Sequence, residues 1–272
     1  MTRLDDALEE ALAGGRTVAL FSELERVSGM PGPRPNLLLL KSLGARIARA
    51  GATGRELSEV LVSQKSLPLY TTGVFAIGAD AANKATRQRG LGKLHDLSDE
   101  PVKERRTMVV EALADLVAAH GDEIAVAMKR FTDGFLHAVV ALEALTEQRA
   151  LARLSSPDAL LERFAEAFDL ADDAPRAADR AQGVRILRES MPAQIARAVV
   201  RFGELAAFVE ERATRERPET REVVAQTIAA LRKVLGEADA DRLRKTHGES
   251  AKPPRDPSRI VQGTRKRSRG RR

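Results

Sequence analysis

The fold is decided by residues 36–62, which read NLLLLKSLGARIARAGATGRELSEVLV. Asn36 is a residue type preferred at helix N-caps, and the apolar residues after it recur at the three- and four-residue spacing of one helix face. Gly51 ends this pattern, and Thr53 to Glu56 have the spacing of a capping box that would open a second helix. The stretch therefore predicts two short amphipathic helices joined by a tight turn.

The composition of the whole chain agrees with an all-α fold. Of 272 residues, 43% are apolar and only 3% aromatic, and the apolar residues are mostly Ala, Leu and Val, which favour helices over sheets. The length suits one large domain or two small ones. The chain has no Cys, so a disulfide framework, a thiolate metal site and a cysteine nucleophile are excluded. The abundance of Ala and Arg is typical of GC-rich bacterial genomes.

Similar helical patterns continue along the chain, separated by caps and breakers. We expect a helix near residues 72–89 that ends at a break over Gly90-Leu91-Gly92. Further helix starts are expected at Pro101, Asp122, Ser156-Pro157-Asp158, Pro192 and Pro218, and a short last helix is expected near 237–246. Together these patterns predict about twelve helices and no strand. The predicted helical domain covers residues 1–247, with a sub-boundary near 90–98.

The spacing of these helices leaves two architectures open. Several helix starts lie about 36 residues apart, which is near the period of helix-pair repeats. Residues 101–113 and 218–225 resemble HEAT-type helices, because each begins with Pro and continues with Arg and small apolar residues. The resemblance covers two of the twelve helices and does not assign a family. The fold is therefore either an α-solenoid of the HEAT-like kind or an irregular multi-helix bundle.

The positive charge is concentrated at the C-terminal end. Residues 248–272 carry nine basic and two acidic side chains, which leaves 36 basic and 37 acidic residues in the rest of the chain. This segment has few apolar residues, so we expect it to be disordered when free. Its cations can neutralise phosphates without reading a base sequence. The predicted nucleic-acid-binding residues are Lys252, Arg255, Arg259, Arg265, Lys266, Arg267, Arg269, Arg271 and Arg272.

A second basic cluster surrounds the expected break in the middle of the chain. Its members are Lys84, Arg87, Arg89, Lys93, Arg105 and Arg106. If helix packing placed them on one face, they would extend a surface for anionic ligands. The alternative is a mixed, solvated face, since acidic residues are interspersed. Gly90 to Lys93 do not form a phosphate-binding loop, because Arg87 stands where that motif needs Gly and no strand precedes it.

No linear pattern predicts catalysis. His95-Asp96 is the pair that a metal-dependent phosphohydrolase would need, but no histidine belongs to an H-E-x-x-H or E-x-x-H pattern. We therefore expect His95 and Asp96 to lie in the turn before a helix that starts at Ser98, and His137 to be a surface or boundary residue. Catalytic residues, metal ligands and cofactors are all predicted to be absent.

The leading functional hypothesis is a non-enzymatic helical scaffold that associates with DNA or RNA through its basic tail. The alternative is a protein-interaction module whose tail serves solubility or docks an acidic protein partner. The N-terminus lacks the apolar core of a secretory signal, and the longest apolar runs have five residues, far fewer than a membrane span needs. The predicted location is the cytoplasm, in association with the nucleoid if the partner is DNA.

Overall fold

A computed structural model describes residues 3–174, 182–214 and 218–235, together with 238, 241–242 and 244–245. The helices are α1 Arg3–Leu12, α2 Val18–Val27, α3 Leu37–Arg49, α4 Ala52–Val62, α5 Leu67–Ala81, α6 Arg87–Ser98, α7 Lys103–His120, α8 Asp122–Ala127, α9 Phe135–Thr146, α10 Gln148–Leu151, α11 Asp158–Asp172, α12 Gln182–Arg201, α13 Leu205–Ala213 and α14 Pro218–Leu235. A 3-10 helix, Met128–Thr132, lies between α8 and α9. The described residues contain no strand, which confirms the all-α prediction.

Two helices with almost no polar face form the centre of the core. In α5, twelve of the fifteen residues are buried, and in α9 eight of the twelve are buried. A helix that is apolar on every side must be covered on every side. Accordingly, α5 packs against α3, α4, α6 and α7, and α9 packs against α7, α11 and α12. The buried apolar side chains form one continuous cluster from Leu4 to Leu231.

Alternate helices along the chain pack side by side. The series α3, α5, α7, α9, α12 and α14 is continuous, since each member contacts the next. The helices between them pack on this series: α4 and α6 on α5, α11 on α9, and α13 on α14. The short elements α8, α10 and the 3-10 helix interrupt a regular alternation in the middle of the chain. Within the described ranges, no helix has the length and apolar content needed to cross a bilayer.

The decisive stretch folds largely as its sequence predicts. The Asn36 side chain accepts a hydrogen bond from the backbone N–H of Leu39 and so caps α3, as expected. The prediction of a capping box at Thr53 is wrong, because α4 begins at Ala52 and its N-cap is Gly51. The φ of Gly51 is +67°, a value that glycine adopts at little cost. Thr53 lies inside the first turn of α4, where its hydroxyl donates to the carbonyl of Ala50.

The expected helix over 72–89 and the break at 90–92 are wrong. The chain forms α5 earlier and α6 later, and Gly90 and Gly92 lie inside α6. Gly90 serves close packing, because a Cβ at this position would lie 2.7 Å from the Cβ of Ala81 in α5. His95 and Asp96 also lie inside α6 and not in a turn. The sequence could not distinguish a helix-breaking glycine from one that two helices need in order to touch.

The second half of the chain contains one further correction. Pro192 lies inside α12 and does not start a helix, although the starts of α11 and α14 are as predicted. Proline costs an interior helix one hydrogen bond, and here its ring is buried among core residues, which offsets that cost. Pro101 lies two residues before the start of α7. Of the expected helix at 237–246, residues 238, 241–242 and 244–245 are described and are helical, and the other five residues lie outside the described residues, as does all of the tail, 248–272.

The two glycines of α6 provide a test of this packing. We expect G90A to lower the free energy of unfolding by about 1–3 kcal/mol, because the added methyl group would overlap α5. We expect G92A to raise it by about 0.5–1 kcal/mol, because nothing lies within 4 Å of a Cβ there and alanine is the better helix former. Urea denaturation of the two variants measures both values, and equal effects would contradict the close approach of α5 and α6.

Candidate basic pocket and histidine cluster

A pocket lies where α6 faces the 3-10 helix and the end of α8. Its volume is about 680 Å³, and it is lined by Lys84, Arg87, Gln88, Arg89, Leu91, Gly92, Lys93, His95, Asp96, Ala127, Arg130 and Phe131. Five of these side chains are cationic at neutral pH and one is a carboxylate. We call this surface the basic pocket. Such a size lies in the usual range for ligand sites, and the charge of its lining favours an anion.

Carboxylates outside the lining hold most of the cations in place. Arg87 has an N–O distance of 2.5 Å to Glu123, and it also donates hydrogen bonds to the carbonyls of Ala81 and Ala82 at the end of α5. The hydrogen bond from Arg87 lowers the pKa of Glu123 below its ordinary value. Arg87 is 9% exposed, so its main role is to tie the start of α6 to the end of α5.

The more exposed cations of the basic pocket form weaker ion pairs. Lys84 lies 3.8 Å from Glu123, and Lys93 lies 3.0 Å from Glu59, with all four side chains about half exposed or more. Arg89 lies 2.6 Å from Asp80. Exposed ion pairs of this kind contribute little stability, so an anionic ligand can compete for these cations. Among the described residues, no carboxylate lies within ion-pair distance of Arg130.

The structure brings four of the six residues of the second predicted cluster together: Lys84, Arg87, Arg89 and Lys93 all line the basic pocket. The other two are elsewhere. Arg105 lies 4.5 Å over the Tyr70 ring and donates to the carbonyl of Gln64. Arg106 is 6% exposed and donates to the carbonyls of Glu100 and Pro101. Both serve packing and cannot belong to one face with the pocket.

Sequence reasoning missed Arg130, which joins the pocket from a distant part of the chain. It also missed a cluster beside the pocket in which His95 meets Asp133 and His137. The Nε2 atom of His95 lies 2.8 Å from Oδ1 of Asp133, and Nδ1 of His137 lies 3.2 Å from the same oxygen. The one signal in the sequence is the four-residue spacing of Asp133 and His137 at a helix start. This spacing matches neither H-E-x-x-H nor E-x-x-H, in which Glu lies three residues before His.

Ring packing fixes the two histidines. Their imidazoles stack with centroids 4.1 Å apart and an interplanar angle of 8°, and the edge contact of His95 with Phe131 has a centroid distance of 5.2 Å. Burial lowers the pKa of His137 below its ordinary value, and His95 acts in the same direction. Asp133 opposes this effect. Burial therefore favours the neutral form of the His137 ring relative to an imidazole in water.

Comparisons with protein-family models, curated proteins and solved structures match nothing. The functional argument therefore rests on this chain's own residues. The nine predicted nucleic-acid-binding cations, Lys252 to Arg272, all lie outside the described residues. The basic pocket and the adjoining histidine cluster are the surfaces from which the described part of the chain offers chemistry.

Proposed function

We propose that this chain is a non-enzymatic helical scaffold that binds the phosphates of nucleic acid, using the basic pocket together with the C-terminal basic segment. The observation that carries the proposal is the lining of the pocket, which includes five cations and one carboxylate. Phosphate contacts of this kind supply affinity without sequence information. The HEAT-like arrangement belongs to the same proposal, because alternate helices that pack in series form an extended surface.

The side-chain chemistry of the pocket suits a phosphodiester. Three of its five cations are arginines, whose planar guanidinium groups match the geometry of phosphate oxygens. Arg130 has no described carboxylate partner, so its donors are available without breaking an ion pair. Lys93 is paired only with the half-exposed Glu59, and a phosphate can replace that partner.

The same surfaces offer no exposed aromatic ring on which a base could stack. Phe131 is the one aromatic ring of the pocket lining apart from the imidazole of His95, and it is 2% exposed. Base stacking requires an accessible aromatic face. The C-terminal segment has no aromatic residue. Binding is therefore proposed to be independent of sequence, with similar affinities for duplexes of different base composition.

Charge reversal in the pocket tests the proposal. We expect K93E/R130E in the full chain to weaken duplex DNA binding about tenfold or more at 50 mM salt. We also expect the slope of log K against log salt to fall by about two units, since each lost phosphate contact removes about 0.9. Fluorescence anisotropy of a labelled duplex across a salt series measures both quantities.

The matched control is R26E/R185E, which changes the net charge by the same amount. Arg26 and Arg185 are exposed, each forms an ion pair within its own helix, and neither lines the basic pocket. This control should lose much less affinity than the pocket variant. Equal losses would mean that only the overall charge matters. No binding by the unmodified chain at low salt would reject the proposal and favour the protein-interaction alternative.

A further inference from the structure

The histidine cluster beside the basic pocket is built from three separate segments. His95 lies near the end of α6, Asp133 lies between the 3-10 helix and α9, and His137 lies in the first turn of α9. These segments meet because α6 packs against both the 3-10 helix and α9. One potential donor atom from each residue can be chosen so that all three lie within 4.8 Å of one another. Two imidazole nitrogens and a carboxylate oxygen thus lie close together.

One nitrogen of the cluster lacks the partner that burial demands. Nδ1 of His137 is buried and makes no hydrogen bond to any described atom, because its 3.2 Å approach to Asp133 is not aligned for one. Leaving a buried polar nitrogen unpaired is costly. Gly134 leaves space at this nitrogen, since a Cβ there would lie 2.4 Å from Nδ1. A ligand that accepts the lone pair would satisfy the nitrogen.

We infer that His95, Asp133 and His137 bind a divalent transition-metal ion, with Zn²⁺ as the best match. Imidazole ligands favour zinc and its neighbours, whereas magnesium and calcium favour sets made of oxygen alone. In a tetrahedral zinc site with ligand distances of about 2.1 Å, neighbouring donor atoms are separated by about 3.4 Å. The two measured separations, 2.8 Å and 3.2 Å, are shorter than that value, and the imidazoles stack in nearly parallel planes, so metal binding requires at least one ring to rotate.

Three protein ligands leave a fourth tetrahedral position open. Open positions are typical of zinc sites that take a water molecule or an exogenous ligand. His95 belongs both to this cluster and to the lining of the basic pocket, so the metal would be next to the proposed anion surface. The metal site is independent of the nucleic-acid proposal, since its ligands are defined whether or not the pocket binds phosphates.

Titration of the full chain, prepared without an affinity tag, tests the inference. Isothermal titration calorimetry with Zn²⁺ is expected to give one tight equivalent. Co²⁺ is expected to give the visible absorption bands of a tetrahedral site, which Zn²⁺ then removes. A millimolar excess of Mg²⁺ should not displace either ion. Zinc should also raise the thermal unfolding temperature, because a ligand that binds only the folded state stabilises it.

Substitutions separate the cluster from other histidines. H95Q, H137Q and D133N should each weaken zinc binding about 100-fold or more, since even the loss of a group that only hydrogen-bonds to a metal ligand costs about 10–100-fold. H120Q is the matched control, because His120 lies at the end of α7 outside the cluster. G134A gives an independent test that removes no ligand: its methyl group would occupy the space at Nδ1 and should weaken binding. Circular dichroism confirms that each variant is folded.

Two results would overturn the inference. If the folded H95Q/H137Q variant binds one equivalent of Zn²⁺ as tightly as the unmodified chain, the metal is held elsewhere. If the unmodified chain binds no equivalent of Zn²⁺ or Co²⁺ more tightly than the double variant does, the cluster is a hydrogen-bonded and stacked packing element only.

Discussion

Y70A is expected to lower the free energy of unfolding by about 3–5 kcal/mol, the usual cost of deleting a buried aromatic ring. Tyr70 is 1% exposed and lies in α5, the central helix of the N-terminal half of the core. Its ring also supports the guanidinium of Arg105 at 4.5 Å. For a domain of this size the loss corresponds to a fall in unfolding temperature of about 6–20 °C. Differential scanning calorimetry measures it.

Y70F is the matched control and should behave in the opposite way. The Tyr70 hydroxyl is buried and has no hydrogen-bond partner among the described atoms. Its removal keeps the ring and the contact with Arg105, so we expect stability to be unchanged or raised by up to about 1 kcal/mol. A loss of 2 kcal/mol or more in Y70F would contradict this structure, because it would require a partner for the hydroxyl.

The buried Tyr70 hydroxyl also leads us to expect lower stability of the fold at alkaline pH. Burial raises the pKa of Tyr70 above its ordinary value, with a contribution from Glu100. Because the folded pKa is the higher one, the stability linked to Tyr70 is present below the unfolded pKa of about 10 and is lost as pH rises above it. Tyr70 is the single tyrosine and there is no tryptophan, so phenolate absorbance reports this residue alone. We expect it to ionise together with unfolding.

The parts of the fold that sequence could predict are those determined within one helix. The cap at Asn36 and the starts of α11 and α14 depend on a few adjacent residues, and all three are confirmed. The predictions failed where a residue has two uses. Gly90 can end a helix or let two helices touch, and Pro192 can start a helix or occupy a buried interior position.

The sites could be predicted only in part, for a related reason. Lys84, Arg87, Arg89 and Lys93 are close in sequence, so their common location could be anticipated from that proximity alone. Arg130 reaches the same pocket only because α6 packs against the 3-10 helix. His95 and His137 are brought together by the same packing. Contacts between segments about 40 residues apart depend on how the helices pack, and neither composition nor periodicity encodes that arrangement locally.

The second large effect is expected from the basic C-terminal segment, residues 248–272, which lies outside the described residues. We expect a chain ending at residue 247 to show a much shallower dependence of nucleic-acid binding on salt. The truncation removes nine cations, of which the six concentrated within residues 265–272 are counted as the phosphate contacts. If each neutralises one phosphate, its loss changes the slope of log K against log salt by about 0.9 on duplex DNA, which gives about five units in total. Between 50 mM and 200 mM salt, the affinity of the full chain is therefore expected to fall roughly 10³-fold further than that of the chain ending at residue 247.

Two further variants show whether binding depends on the charge of the segment or on the order of its residues. A chain in which the order of residues 248–272 is scrambled keeps every cation and should bind with an unchanged slope, because phosphates are neutralised by charge alone. A chain in which the nine cations are replaced by Gln keeps the length and should behave like the chain ending at 247. If deletion leaves the slope unchanged while K93E/R130E lowers it, the basic pocket alone carries binding and the role proposed for the segment is wrong.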